Sequence, residues 1–583
     1  MESSRGNSTG RAAFGLLELG LLFVTPLAFY RGFSDQFTTI KLILTKSLVL
    51  VAALGLMLRF VWARRGWPRD FRIGVPLALL VSVVLLSCLG SSTPTFSFAE
   101  AGNFLCGPVW ALVLIFSGGG ESRMRRIAAL VTAASGMAAA IAVSQWAGHD
   151  PLLFGGYHVE FGTMRASMRM YSTFGNPNLA AGYLTGAIFL GGALAAVSNR
   201  FLVRILCAAA VLVTLAAVIG EDSQGAWLGL VAGLVVALAF FAKGPAPAAA
   251  AEPRANSAII GVSAMPAALL LPLAALAQQA SELFTSLEGR TFLWRASWPM
   301  FAQHPLLGGG WGTFQLRFPE LQAQFLASHP QYLRYWTYTS HLHNDPLEIL
   351  LDAGAAALAA LGWLLWIYMR DLRHSMPHAS RPERIWLAAS AGGVTAILLN
   401  ACFNFQLAVP PTLLLLFTFL AAPLVLRMDT NAPMPAGGAP KLFGRVLLTA
   451  VVASLAVWMA IGMTHHARAD HFLAIGLDAE RRGEIAKSEE HFRRGLDQEP
   501  ENGGLHYGLA RALYLQGEDV EALAGALHAG RSLSDPHLEV LKARIQDRLG
   551  YRSQALEAFR HALRLDPALD SVRDDIERLS RAQ

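Results

Sequence analysis

Two histidines, an asparagine and two carboxylates crowd into Ser340-His341-Leu342-His343-Asn344-Asp345-Pro346-Leu347-Glu348. The segment ends a long polar loop and opens an apolar run long enough to cross a membrane. Groups of this kind at a bilayer surface are costly unless they are used. Asp345 is expected as N-cap, Pro346 as the first helical residue and Glu348 as capping-box partner. A helix N-terminus gathers free N–H groups and the positive dipole end, so it can hold an anion. A titratable imidazole beside an anion cradle suits transfer chemistry on a phosphate-bearing lipid. A capped helix with polar residues just above the headgroups would look the same, and spacing alone leaves both readings open.

Three other places carry specific polar residues. In Ser172-Thr173-Phe174-Gly175-Asn176-Pro177-Asn178-Leu179-Ala180, Asn178 is expected to cap a helix that Asn176-Pro177 turns into. Glu221-Asp222-Ser223-Gln224-Gly225 forms a hairpin tip between two apolar runs. Arg290 and Arg295, in Gly289-Arg290-Thr291-Phe292-Leu293-Trp294-Arg295, sit on an amphipathic segment expected to lie along the membrane surface. Arginine binds phosphate bidentately and keeps its charge where water is scarce. Snorkelling towards lipid phosphates is the plainer role for both. The cluster His304-Pro305-Leu306-Leu307-Gly308-Gly309-Gly310-Trp311-Gly312-Thr313-Phe314 lets the backbone turn sharply or approach something closely. No Gly-Lys-Ser/Thr follows it, so no nucleotide site is implied.

These residues must be positioned by membrane helices. Of 583 residues 54% are hydrophobic and 15% charged, and the mean hydropathy is +0.41, which excludes a disordered or nucleic-acid-binding chain and indicates a polytopic membrane protein. Cys88, Cys106, Cys207 and Cys402 lie in or beside apolar stretches without metal-ligand spacing, so neither a metal site nor a cofactor is expected. Apolar runs fall near 12–30, 39–62, 73–90, 101–118, 127–147, 178–197, 201–220, 225–242, 257–276, 346–369, 385–402, 410–426 and 445–463, giving about 12–13 spans. The first run leads straight into further spans, so no cleavable signal peptide is expected. Arginines and lysines recur in alternate loops: 64–72, 123–126, 200–204, 243–254, 370–384 and 427–445. The positive-inside rule makes these loops cytoplasmic and turns the loops at about 148–177 and 277–345, and everything after 464, outward.

From about Ala467 the chain becomes charged, helical in period and repetitive. Gly483, Gly517 and Gly550 recur at spacings of 34 and 33 residues, followed by Phe492, Ala526 and Phe559, then Gly495, Ala529 and Ala562. Prolines follow at Pro500, Pro536 and Pro567, the second of them late. The pattern resembles tetratricopeptide repeats, about three of them, and such arrays bind proteins or peptides. The expected division is therefore a membrane part, 1–464, with its motifs at 170–360, and a repeat domain, 467–583. The fold class is all-α: a transmembrane helical bundle plus an α-solenoid.

Taken in order, Asn176-Pro177-Asn178, Ser223-Gln224-Gly225, Pro305 to Phe314, His343-Asn344 and Gly354 resemble the O-antigen ligase and O-antigen polymerase superfamily of bacteria. The resemblance implies a C-type membrane glycosyltransferase acting on undecaprenyl-diphosphate-linked glycans at the periplasmic face of the inner membrane. It makes His343 the residue required for transfer and Arg290 the match to an essential, diphosphate-binding arginine. Asn344, Arg295, Gln224, Asn178 and His341 become candidate substrate contacts. Two positions depart from the pattern. Gln224 stands where arginine is common, so a second diphosphate contact would come from Arg295, Arg169 or Arg165. Ala357 fills a position usually small or tyrosine.

On this reading His343 is the general base towards an acceptor hydroxyl and Arg290 meets the charge of the leaving diphosphate. Glu348 or Asp352 could orient His343, with capping the favoured role for Glu348. The acceptor, whether lipid A-core, a growing glycan or a protein, is left open, and the repeats could present a peptide. A transporter would place charges deep within several spans, whereas here only Glu18, Lys41 and Lys46 do so. A membrane-anchored scaffold, in which only the repeats function, would leave His343 and Arg290 dispensable.

Overall fold

The computed structural model describes residues 14–63, 72–153, 170–242, 272–274, 280–427 and 442–581. In chain order the membrane part comprises α1 (Phe14–Leu27), α2 (Thr38–Ala63), α3 (Gly74–Leu89), α4 (Pro94–Ser117), α5 (Gly120–Trp146), α6 (Pro177–Val197), α7 (Phe201–Gly220) and α8 (Gln224–Ala242). It continues with α9 (Ala280–Gln303), α10 (Phe314–Ser328), α11 (Asp345–Ser375), α12 (Arg381–Ala401), α13 (Pro410–Arg427) and α14 (Leu442–Arg481). Ten of the described helices are long and apolar enough to cross a membrane, and α1 and α3 are shorter apolar helices. Each apolar run read from the sequence is thus a helix except 257–276, which apart from 272–274 lies outside the described residues.

Lipid tails are as apolar as leucine, so membrane helices associate by close packing of small residues rather than by hydrophobic burial. The seam between α8 and α12 is built this way. A Cβ on Gly229 would stand 2.4 Å from the Ala396 carbonyl oxygen, and one on Gly233 would stand 2.5 Å from that of Gly392. The charges expected deep in spans are satisfied locally. Glu18 is fully buried between Arg123 and Arg126, each 2.5 Å away, and Lys41 donates to the carbonyls of Ala28, Phe37 and Thr173.

Six further helices, α15 (Ile485–Leu496), α16 (Gly503–Gln516), α17 (Asp519–Ala529), α18 (Pro536–Arg548), α19 (Arg552–Leu565) and α20 (Asp570–Arg581), stack in sequence as an α-solenoid. Gly483, Gly517 and Gly550 take φ of 76°, 87° and 81°, the left-handed turn that ends a helix and that glycine adopts most cheaply. Phe492, Ala526 and Phe559 are buried behind them, as the period implies. Pro536 comes late because it opens α18 as its first residue, with Asp535 as N-cap, rather than ending a helix.

The change of composition near 467 is not a break in the backbone: α14 runs unbroken through it. Asp470 accepts the Ser34 N–H at 3.1 Å, and His471 Nδ1 lies 2.9 Å from the Gly32 carbonyl. At the far end of the array, Trp336 donates to the Leu565 carbonyl at 2.8 Å and His561 lies 3.0 Å from Glu320 on α10.

Candidate active site

The polar motifs meet at one end of the bundle. Three non-glycine residues among those described hold a left-handed backbone, Ser172, Asp222 and His343, one in each of three motifs. Such strain persists only where surrounding contacts enforce it. At Ser172 the reason is structural, since its N–H donates to Gln145 and its hydroxyl to the Ala138 carbonyl, each at 2.7 Å.

At His343 (φ 54°) the chain turns into α11. The N-cap is Asn344, not Asp345 as the sequence suggested: its side chain accepts the Leu347 N–H at 3.0 Å and donates to the Cys402 carbonyl at 3.0 Å. Asp345 turns inward instead and accepts the Leu407 N–H at 2.9 Å. Glu348 is likewise no capping-box partner. One oxygen lies 2.8 Å from His341 Nδ1 and the other accepts the Leu342 N–H at 2.7 Å, so it fixes the loop that carries the histidines. Neither Glu348 nor Asp352 is placed to orient His343 by a hydrogen bond. Asp352 accepts the N–H groups of Gly312 and Phe314 at 2.8 and 3.2 Å and so holds the glycine cluster.

That cluster threads through a break in α11. Gly354 has φ 74° and ψ −179°, a conformation open in practice only to glycine. Ala355 and Ala356 donate to the carbonyls of Pro305 and Leu306, and Gly309 and Gly310 donate to those of Leu351 and Asp352. A Cβ on Gly354 would stand 2.2 Å from the Leu306 oxygen, and one on Gly308 would stand 2.2 Å from the Asp352 carbonyl carbon.

The segment between α12 and α13 underlies the site. Phe405 stacks on His341 at 4.4 Å and meets the His343 ring edge-on at 5.2 Å. Phe403 lies under Arg290, whose guanidinium is 5.8 Å from the ring centre. Gln406 donates to the Asn178 carbonyl at 2.9 Å. A Cβ on Gly225, next to Gln224, would stand 2.6 Å from Asn400 Oδ1 and 2.9 Å from Phe403 Cβ. The signal that could have found this segment was two amides, Asn404 and Gln406, between two apolar runs, with a third, Asn400, near the end of the first.

Of the expected contacts, His341, His343, Asn344 and Arg290 come together here, and Gln224 stands beside them at the start of α8. Asn178 does not cap α6; Asn176 does, accepting the Asn178 N–H at 2.9 Å, because Pro177 is the first helical residue. Arg295 faces elsewhere and donates to the Tyr332 hydroxyl at 2.8 Å. Arg165 and Arg169 lie outside the described residues.

Burial, reinforced by Arg290 and His341, holds the His343 imidazole down at about 4. For His341 burial acts in the same direction, but Glu348 overrides it and lifts the imidazole to about 9. The two rings therefore differ in charge near neutrality: His341 is cationic and His343 is a free base. Burial also lowers Arg290, whose Nη1 has no hydrogen-bond partner among the described residues. A guanidinium N–H in this position can donate to a phosphate oxygen.

Two cavities flank the histidine loop. One of about 590 Å³, with Leu342 in its wall, is lined by Trp294, Arg295, Trp298, Phe325 and Tyr332. The other, of about 340 Å³, is more polar and is lined by His341 and Ser340 together with Asp35, Thr38 and Asn176.

A family model described as O-antigen ligase matches residues 209–361, from within α7 to a point just past the break in α11. The match takes in Gln224, Arg290, Arg295, His341, His343 and Asn344 and stops short of the Phe403–Gln406 segment. No curated protein matches the chain. Among solved structures, the APC/C hetero-tetramer Cut9-Hcn1 aligns over 87% of this chain and 96% of that one at 12% identity, with a TM-score of 0.19, too low to bear on the fold.

Proposed function

We propose that this chain transfers a glycan from an undecaprenyl-diphosphate carrier to an acceptor hydroxyl at the periplasmic face of the inner membrane, as an O-antigen ligase does. The observation that carries this reading is the pair His343 and Arg290: an imidazole held as free base near a half-buried guanidinium whose Nη1 has no acceptor among the described residues. The larger cavity, aromatic-walled with Arg295 at one side, suits the prenyl diphosphate donor. The smaller and more polar cavity suits a hydroxylated acceptor. The loop bearing His341 and Leu342 lies between them.

Undecaprenyl diphosphate is a good leaving group, so the protein need supply neither a nucleophile nor a metal. The acceptor oxygen forms its bond to the anomeric carbon as the bond from that carbon to the diphosphate breaks. The hydroxyl proton goes to His343. The charge left on the diphosphate is met by Arg290, a preorganised donor, and by the positive dipole end of α11. Cationic His341 adds to the same field while Glu348 keeps it in place.

A ligase for lipid A-core, a polymerase and a protein O-oligosaccharyltransferase share this chemistry and differ in acceptor. The repeat array favours none of the three by its contacts. Deleting the chain distinguishes them. Lipid-linked polymer beside bare lipid A-core means a ligase, single lipid-linked repeat units mean a polymerase, and unglycosylated protein means the third. An unchanged glycan profile would remove the reading.

A further inference from the structure

The opposite end of the bundle holds a cavity that chemistry at His343 leaves unused. It measures about 600 Å³ and lies where α11 ends, α12 begins and α13 ends. Arg72, Arg370 and Arg427 line it. Two carboxylates line it as well, one paired with an arginine of the site and the other with the backbone. Asp371 accepts from Arg370 at 3.1 Å, and Glu383 accepts the Ser380 N–H at 2.7 Å to close the capping box of α12. Arg427 donates to the Asp371 carbonyl at 3.0 Å, a contact that positions its guanidinium without neutralising it.

Part of the remaining wall is apolar, from Ala379, Leu387, Pro423 and Leu426, and His374, Ser375 and His378 complete it. Trp366, one turn before Arg370, is 60% exposed on the flank of the bundle, with the Arg370 guanidinium 5.9 Å from its ring. An aromatic ring at this depth marks the level of lipid headgroups. Fixed guanidiniums favour phosphate oxygens because they donate in pairs and are weakly hydrated. The apolar wall and the lipid-facing tryptophan would give nothing to a free inorganic anion, but they fit the glycerol and upper acyl chain of a lipid. Basic pockets between membrane helices bind anionic headgroups for these reasons.

We propose that the cavity bounded by Arg72, Arg370 and Arg427 binds the phosphate headgroup of an anionic phospholipid. The site is independent of the transfer reaction and would hold the ends of α11, α12 and α13 together from the other side of the membrane.

The test uses the full chain in detergent, with phosphatidylglycerol, phosphatidylethanolamine or inorganic phosphate added. Phosphatidylglycerol should raise Tm by about 3 °C or more, while the other two leave it unchanged. The double variant Arg370→Gln/Arg427→Gln should lose that response, and Arg373→Gln, at an exposed arginine on the same helix end, should keep it. Should the double variant fail to fold, native mass spectrometry of the unaltered chain decides: it should retain one phosphatidylglycerol in preference to phosphatidylethanolamine. An equal response to inorganic phosphate would make this a free-anion site and overturn the lipid assignment. No response in the unaltered chain, the same response in the double variant, or no lipid preference in the mass spectrum would overturn the proposal.

Discussion

His341 and His343 share one aromatic ring: Phe405 lies flat against the first and edge-on to the second. The shared ring holds two imidazoles two residues apart in opposite protonation states, with Glu348 beside one and Arg290 near the other. They are therefore not interchangeable. A general base typically contributes 10²–10⁴-fold, so His343→Ala should cut glycan transfer by that factor at unchanged protein level. His341→Ala should act mainly on stability, because Glu348 loses its partner, at a cost of about 1–3 kcal/mol. Transfer assays paired with thermal melts separate the two. A large loss of turnover from His341→Ala at full stability would put the base on the other residue.

The pH profile of kcat/KM should carry the same signature. His343, held at about 4, stays a free base across the working range, so the acid limb should have its midpoint near 4 rather than near the ordinary imidazole value of about 6.5. His341, lifted to about 9, lies above its unfolded value. Its ion pair therefore stabilises fully below about 6.5 and is lost as pH rises through 9. Tm and activity should both decline on the alkaline side, and Glu348→Gln should move that decline to lower pH. An acid limb near 6.5 would mean that His343 is unperturbed.

Arg290→Lys keeps the charge but loses the forked pair of donors, so it should lower kcat/KM for the lipid-linked donor at least tenfold. Arg295→Lys should cost less, since Arg295 stands at the Tyr332 side of the larger cavity. Comparable losses for both, measured with the same donor, would place the diphosphate between the two arginines.

Gly354→Ala should be among the most damaging single changes in the membrane part. It forces a side chain into a glycine-only conformation, worth about 1–3 kcal/mol, and drives a methyl group into the Leu306 carbonyl. Asp352→Leu should be milder, leaving two N–H groups without an acceptor at about 1–3 kcal/mol each. Loss of folded protein on size-exclusion chromatography for the first, and a lowered Tm for the second, check the order.

Residues from about 467 onward should express as a soluble helical fragment, because the array buries its own core behind Phe492 and Phe559. In the full chain, Trp336→Phe should loosen the contact to Leu565, read as faster proteolysis between α18 and α20. A fragment without helical circular dichroism would mean that the array needs the membrane part to fold.

The apolar periods carried the fold, and they did so because a membrane span must satisfy its backbone within one helix. The 33–34-residue period carried the repeats because their glycines end helices. The polar segment 340–348 stood out because costly groups at a bilayer surface do so, whereas the choice of His343 and Arg290 within the polar motifs came from the family resemblance. The partners were not legible. Asp345 and Asn344 are both good caps, and the choice between them was made by Leu407, more than sixty residues downstream. Glu348 looked like a capping acid at three residues' distance, yet its partner proved to be His341 on the preceding loop. Phe403 and Phe405 read as ordinary apolar residues beside a span. Nothing local says that such a ring will carry two histidines.

The unbroken α14 has a mechanical meaning. Its forty residues make a rod of roughly 60 Å, so a tilt of about 5° at one end moves the other by about 5 Å. The array cannot swing on a linker, and its far end is fastened at Trp336, seven residues before His343. Rod, array and fastening form a closed linkage. The thickness of the surrounding bilayer sets how far a span leans, so a lean of α14 would bear on the loop that carries the two histidines as well as on the array.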